Sequence, residues 1–266
     1  MNDALTPSYD DLLLFAHQLA DAAARATLPL FRDVTQIDNK LKDGFDPVTE
    51  ADRAAEAAMR DLIEAHYPNH AICGEEFDDK PGEVFQWVLD PIDGTRAFIS
   101  GMPSWGTLIG LNHEGQPVLG MMDQPFTGER YFAAKGSGGF LRHDGQNRAL
   151  KTRPCSSLAD AVLATTTPQL FTATPAEPVW QSLTAQAKLT RYGGDCYNYA
   201  LLALGQIDAV VEQGLKDVDI QPLIALIEEA GGIVTDWHGG PAQHGGTAVA
   251  CGDPALHAAL LTQLNG

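Results

Sequence analysis

Asp90-Pro91-Ile92-Asp93-Gly94-Thr95 sets two carboxylates three residues apart, with a proline between them and a Gly-Thr step after them. Pro91 disfavours helix at Asp90 and removes an amide donor. Asp90 is therefore expected extended at the end of the apolar strand Trp87-Val88-Leu89, and Asp93 on the turn that follows. Gly94 lets the backbone approach a ligand closely. A helix beginning near Thr95 would aim its free amides at the same place as the carboxylates. Carboxylates that gather hard cations, beside amides that hold an anion, suit metal-assisted phosphate chemistry. Taken alone, the same six residues also describe a polar turn capping a helix.

A third carboxylate near Asp90 and Asp93 would complete a cation site of oxygen ligands. Glu75 and Glu76, after the short strand Ala71-Ile72-Cys73, stand at a strand end where acids are ordinarily solvated. In Asp46-Pro47-Val48-Thr49-Glu50-Ala51-Asp52, Thr49 and Asp52 have the spacing of a helix N-cap and its N3 acid. Asp52 could also accept a hydrogen bond from a hydroxyl in the site. Gly136-Ser137-Gly138-Gly139 lacks the ending of a phosphate loop and reads as a hairpin turn. The eight histidines lie outside these blocks and read as surface or structural residues.

The elements that must position these groups follow from periodicity. Helical spacing of Leu12, Leu13, Phe15, Ala16, Leu19 and Ala23 predicts a long amphipathic helix from Ser8 to Phe31, capped by Ser8 or Asp10. The charged stretch Lys42-Asp43-Gly44-Phe45 reads as a surface loop or a mobile lid. A second helix runs from Thr49 to His66 and stops at Pro68. From Trp105 to Leu141, apolar runs alternate with turns at Glu114-Gly115, Thr127-Gly128 and Lys135–Gly138, which predicts an antiparallel meander. The pattern changes between Leu150 and Ser157, so the chain divides into an N-terminal half, 1–150, and a C-terminal half, 151–266. In the second half short strands (161–165, 189–191, 207–212, 232–236, 248–250) alternate with helices (177–187, 196–204, 220–230, 254–264), an α/β layered pattern.

The chain has 266 residues, 44% of them hydrophobic and 20% charged, as in soluble globular proteins. Its formal net charge is −18, from 17 basic and 35 acidic residues. That balance argues against a nucleic-acid or anionic-membrane surface. It would repel an anionic substrate too, unless bound cations reverse the local field. No apolar run nears the roughly 18 residues of a membrane span, and Met1–Tyr9 has no signal core, so a cytoplasmic location is expected. The four scattered cysteines form no C-x-x-C pair and read as free thiols or small buried residues.

Four blocks together resemble the inositol monophosphatase family of Mg²⁺-dependent, lithium-sensitive phosphatases: Asp46–Asp52, Gly74-Glu75-Glu76, Trp87–Thr95, and Asp219 followed by Glu229-Ala230-Gly231-Gly232. They stand in the family's order across nearly the whole chain. The resemblance implies an αβαβα five-layer sandwich. It further implies that Glu75, Asp90 and the Ile92 carbonyl hold one Mg²⁺, that Asp90, Asp93 and Asp219 hold a second, and that a third ion can bind near Glu75. Thr95 paired with Asp52 would help position the attacking water, and the Gly94 and Thr95 amides would receive the phosphate. Where the family often has Trp-Asp this chain has Val218-Asp219, with Asp217 the fallback; Asp219 is preferred because it lies ten residues before Glu229.

After the D-G-T step the chain continues Arg96-Ala97-Phe98-Ile99-Ser100-Gly101, and later carries Arg191-Tyr192-Gly193-Gly194-Asp195-Cys196-Tyr197. Both resemble the histidinol-phosphate phosphatase subgroup. Arg96, Gly194, Asp195 and Glu212 would then line the substrate site, with Asp195 and Glu212 facing a cationic amine. Asp195 could instead cap the helix starting at Cys196. The competing readings are an inositol-1-phosphate or broad sugar or nucleotide phosphatase, and a non-catalytic member that binds RNA or transcription machinery. A small phosphorylated metabolite is the expected partner, with no nucleic acid and no membrane. The family resemblance implies a homodimer, to which Trp105–Leu111 could contribute.

Overall fold

A computed structural model describes residues 7–33, 38–39, 47–48 and 50–266. The Lys42–Phe45 loop, Asp46 and Thr49 lie outside the described residues. The amphipathic N-terminal stretch forms α1 (Tyr9–Thr27), with Leu12, Phe15, Ala16, Leu19 and Ala23 buried. Ser8 accepts from the Asp11 amide while the Asp11 carboxylate accepts from the Ser8 amide, a reciprocal cap that satisfies two end donors. A two-residue ladder, β1 (Asp38–Asn39) with β2 (Pro47–Val48), precedes α2 (Glu50–His66).

Helices α1 and α2 cover one face of a seven-stranded sheet. Its strands are β3 (Ala71–Gly74), β4 (Phe85–Asp93), β5 (Gly106–His113), β6 (Gln116–Gln124), β7 (Glu129–Ala134), β8 (Gly138–His143) and β9 (Gln146–Ala149), side by side in that order. Only β3 and β4 pair in parallel. The expected meander is present, and its turns show why. Glu114-Gly115 and Asp144-Gly145 each have two consecutive positive φ angles, 51° and 75°, then 50° and 73°. Such turns match the twist of the strands they join. β9 is exposed throughout, so no apolar run announces it.

Beyond β4 comes the single turn α3 (Thr95–Ile99). The second half supplies β10 (Val162–Ala164), α4 (Glu177–Gln186), β11 (Leu189–Arg191), α5 (Asp195–Ala203), β12 (Ala209–Leu215), α6 (Asp217–Glu229), β13 (Ile233–Thr235), β14 (Gly246–Cys251) and α7 (Pro254–Leu264). The second sheet has the order β11-β10-β12-β14-β13; the first three strands are parallel and β14 is antiparallel to both of its neighbours. Helices α5 and α6 lie between the sheets, and α4 and α7 cover the outer face of the second. The architecture is the expected αβαβα sandwich.

The middle layer belongs to both halves. Leu108, Met122 and Tyr131 of the first sheet share one core with Tyr199, Leu223 and Leu226 of α5 and α6. Gly110 and Gly120 sit directly opposite each other on β5 and β6. A Cβ at Gly120 would lie 1.9 Å from the Pro222 carbonyl oxygen, and one at Gly110 3.3 Å from Pro222. The paired glycines thus form a seat for α6 at its proline. The segment Trp105–Leu111, expected to contribute to a dimer, is buried within the chain, along the strand between β4 and β6. Four free cysteines are present, as expected.

Candidate active site

Strand β4 does not end at Leu89 but continues to Asp93, with an irregularity: Asp90 opposes Leu108 and Asp93 opposes Gly106. The extra residue absorbs Pro91 where β3 has already ended, so the missing amide breaks no ladder there. The bulge turns Asp90 and Asp93 toward the same side. Asp90 is 1% exposed and accepts from the Ile92 amide at 3.1 Å. The Thr95 hydroxyl donates to the Ile92 carbonyl at 3.1 Å. Gly94 has φ 82°, the left-handed turn into α3 that the sequence asks of a glycine.

Helix α6 brings the third acid. It starts at Asp217, one turn earlier than apolar periodicity suggests, and holds Pro222 inside. A proline there removes only the bond to the Val218 carbonyl, so the first turn survives. Asp219 accepts from the Lys216 amide at 2.7 Å. Carboxylate oxygens of Asp90, Asp93 and Asp219 converge within 4.8 Å of one another. Asp217 bonds instead to the neighbouring Val218 amide at 2.9 Å. Glu75 acts electrostatically on Asp90, and its Oε1 lies 2.6 Å from Lys216 Nζ. Asp52, 2% exposed on α2, also acts electrostatically on Asp90.

Burial and mutual repulsion push these acids up. Asp90 is raised well above the carboxylate range by burial, then by Glu75, Asp93 and Asp219. Burial raises Asp93 strongly as well, aided by Asp195 and Asp219 and opposed by the Cys196 amide, which donates to Asp93 at 2.6 Å. Asp219 is pushed up to about 6, chiefly by burial. Oxygen donors so crowded, and so costly to ionise together, fit a hard divalent cation, which would supply the missing positive charge.

Asp195 and Glu212, expected to line the substrate site, lie on α5 and β12. Asp93, Asp195, Cys196, Tyr199, Glu212 and Asp219 share the walls of a cavity of about 140 Å³. Asp195 is the first residue of α5, with φ 43°. It does not cap that helix; Asp93 does so, through the Cys196 amide. Burial raises Asp195 to about 6, and the exposed Arg96 opposes the rise. Glu212, 2% exposed, accepts from the Thr166 amide at 2.7 Å and the Tyr199 hydroxyl at 2.9 Å. Burial lifts it to about 7. At Gly194, a Cβ would lie 2.0 Å from Asn198 Oδ1, so no larger residue fits there without a shift.

Two side chains that meet the turn carrying Glu75 from elsewhere in the chain have no local signature. Glu56 on α2 is fully buried and accepts from the Glu76 amide and Arg60 Nε, both at 2.7 Å. A Cβ at Gly74 would lie 2.0 Å from Glu56 Oε1, so Glu56 clamps the turn that carries Glu75. Lys216 reaches Glu75 across 141 positions of sequence with its ammonium and Asp219 with its main-chain amide. Glu229-Ala230-Gly231-Gly232 is a helix stop. The Gly231 amide bonds to the Glu228 carbonyl and the Gly232 amide to that of Ile227, with Gly231 at φ 92°. Glu229 also accepts from the Gly136 and Gly138 amides, holding the β7–β8 turn.

Residues 8–266 match the profile described as "Inositol monophosphatase family". The chain belongs to the inositol monophosphatase family. Among similar proteins, "Bifunctional phosphatase IMPL2, chloroplastic" of Arabidopsis thaliana is 42% identical over 233 residues, which are 86% of this chain but 65% of the plant protein. "Histidinol-phosphatase" of Streptomyces coelicolor is 35% identical over 97% of this chain and 98% of its own length. A solved structure of an inositol monophosphatase from Zymomonas mobilis superposes with TM-score 0.86 at 41% identity, covering 98% of this chain and all of the other. "Nus factor SuhB" of Pseudomonas aeruginosa is 34% identical over 82% of this chain and 83% of its own. These family members share the fold and differ in the functions their names give.

Proposed function

We propose that the chain is a Mg²⁺-dependent phosphomonoesterase that hydrolyses L-histidinol phosphate to L-histidinol and phosphate. The observation that carries this reading is the position of Glu212, with Asp195 beside it, on the wall of the cavity that Asp93 and Asp219 also line. Thr166 and Tyr199, which hydrogen-bond to Glu212, are neutral donors, so its charge is left for a cation. Arg96 already faces Asp195. Glu212 is therefore the stronger anchor for the amine, and Asp195 the second. The histidinol-phosphatase relative supports the same substrate.

Glu75, Asp90, Asp93, Asp219 and the Ile92 carbonyl would hold the metal, two to three ions in all. Bound there, divalent ions supply charge neutralisation at the phosphate and a water acidic enough to attack it. Thr95, with Asp52, orients that water, and the Gly94 and Thr95 amides receive phosphate oxygens. Burial of Asp90, 1% exposed, keeps bulk solvent from that acid. A homodimer belongs to the same reading and is checked by light scattering.

The neighbouring inositol monophosphatase structure favours one alternative, an uncharged polyol phosphate as substrate. Phosphate release from L-histidinol phosphate, inositol 1-phosphate and 3′-phosphoadenosine 5′-phosphate, measured side by side with Mg²⁺, separates the two. Histidinol phosphate is expected to turn over fastest. Faster release from either competitor would sink the substrate assignment while leaving the phosphatase reading in place. The SuhB relative keeps a transcription-factor role in view, and a chain that binds RNA polymerase yet releases no phosphate would establish it. The net charge of −18 speaks against a direct RNA surface.

A further inference from the structure

Lys216 touches two of the clustered acids by different means. Its main-chain amide donates to Asp219 Oδ2 at 2.7 Å, and its ammonium lies 2.6 Å from Glu75 Oε1. The amide contact is compatible with a cation on the other side of Asp219. The ammonium contact is different, because it occupies an oxygen of the acid best placed to bridge toward Asp90. An ammonium and a divalent ion on that carboxylate repel each other at contact distance, so each weakens the other's hold. The Lys216 side chain is 54% exposed and that of Glu75 16%. Its long stem therefore has a path to water when it lets go.

We infer that the Lys216 ammonium is a resident counter-ion of Glu75 that must leave before a divalent ion can take that carboxylate, so Lys216 sets metal affinity by competition. The inference rests on the reading of Glu75 as a metal ligand. Its role is opposite to that of a positioning residue, which would strengthen binding. Removing the competitor tightens the metal. An ion pair whose cation is half-exposed is worth little, so the gain is about two- to fivefold.

The test uses Mn²⁺ as the probe, with the free ion followed by electron paramagnetic resonance, on the full chain and its variants. Lys216→Met and Lys216→Gln are expected to bind Mn²⁺ about two- to fivefold tighter than the parent. Lys216→Arg keeps the charge and stays within about twofold. The rise in melting temperature on adding Mn²⁺ should also grow in the Met and Gln variants, because the ion-free protein loses a counter-charge. Unchanged or weaker Mn²⁺ binding in both neutral variants overturns the inference, as does equal tightening by Lys216→Arg. Glu75→Gln serves as the control on the underlying reading. If it leaves Mn²⁺ affinity unaltered, Glu75 is not a ligand, and the inference falls with that assignment rather than by its own failure.

Discussion

Glu212→Gln separates the electrostatic part of substrate choice from its shape. The substitution keeps the volume and leaves an oxygen to accept from the Thr166 amide, while the Tyr199 hydroxyl can turn to accept from the new NH₂. What is lost is the charge. In the folded protein burial raises Glu212 from 4.5 to about 7, which at about 1.4 kcal/mol per pH unit is a penalty of about 3 kcal/mol on the ionised form. A cationic amine offsets that penalty and a polyol does not. Turnover of L-histidinol phosphate, as kcat/KM, should therefore fall by roughly 30- to 1000-fold, the equivalent of about 2–4 kcal/mol. Inositol 1-phosphate should change by no more than about threefold. The sign of the pH effect follows from the same shift. The folded pKa lies above the unfolded one, so between about 4.5 and 7 the folded state holds the extra proton. Stability of the protein in chelator thus declines as pH rises through that window, and Glu212→Gln removes up to about 3 kcal/mol of the decline. Steady-state kinetics on both substrates and urea melts at pH 5 and pH 8 provide the readouts. An equal loss on both substrates, or a variant as pH-sensitive as the parent, would refute the reasoning.

Asp93→Asn retains an acceptor for the Cys196 amide but removes a charge from the acidic cluster; activity should drop by roughly 10²- to 10³-fold with an unchanged circular dichroism spectrum, and retained kcat would defeat the metal assignment. Gly120→Ala forces its methyl against the Pro222 carbonyl, so α6 must shift; about 1–3 kcal/mol of stability and at least about tenfold in Mn²⁺ affinity should be lost, read by thermal melts and metal titration. Glu56→Ala strands the Glu76 amide and loosens the turn bearing Glu75; about 2–3 kcal/mol of stability should go, with weaker Mn²⁺ binding, whereas an unchanged metal affinity would show that Glu56 does not position Glu75.

The hexapeptide at 90–95 was legible because its chemistry is local. Two acids three apart, a proline that needs a sheet edge and a glycine that needs a left-handed turn leave few arrangements open. The meander was legible for a similar reason, with apolar runs and turn residues sharing one period. β9 escaped because an exposed edge strand has no buried face to mark it, and only Asp144-Gly145 hinted at it. Asp195 was ambiguous between cap and pocket, since a polar residue at a helix start serves either purpose; only the tertiary partner of the Cys196 amide, Asp93, decides. The start of α6 was misplaced by a turn because Asp217-Val218-Asp219 does not extend the apolar period toward Pro222. Its accommodation depends on glycines about a hundred residues earlier. Glu56 and Lys216 were invisible for the same physical reason. Their partners come from distant parts of the chain, and sequence spacing says nothing about what a side chain meets across the fold.

The seat that Gly110 and Gly120 make for Pro222 has a consequence for how activity can arise. Asp219 reaches Asp90 and Asp93 only when α6 is docked on the first sheet, and α6 is made by the second half of the chain. A nascent or clipped chain ending before α6 lacks Asp219 and holds an unfinished cluster. Such a fragment would be inert rather than indiscriminate. On the proposed reading, phosphatase activity is therefore a certificate of completed assembly, issued by the same proline-on-glycine contact that seats α6.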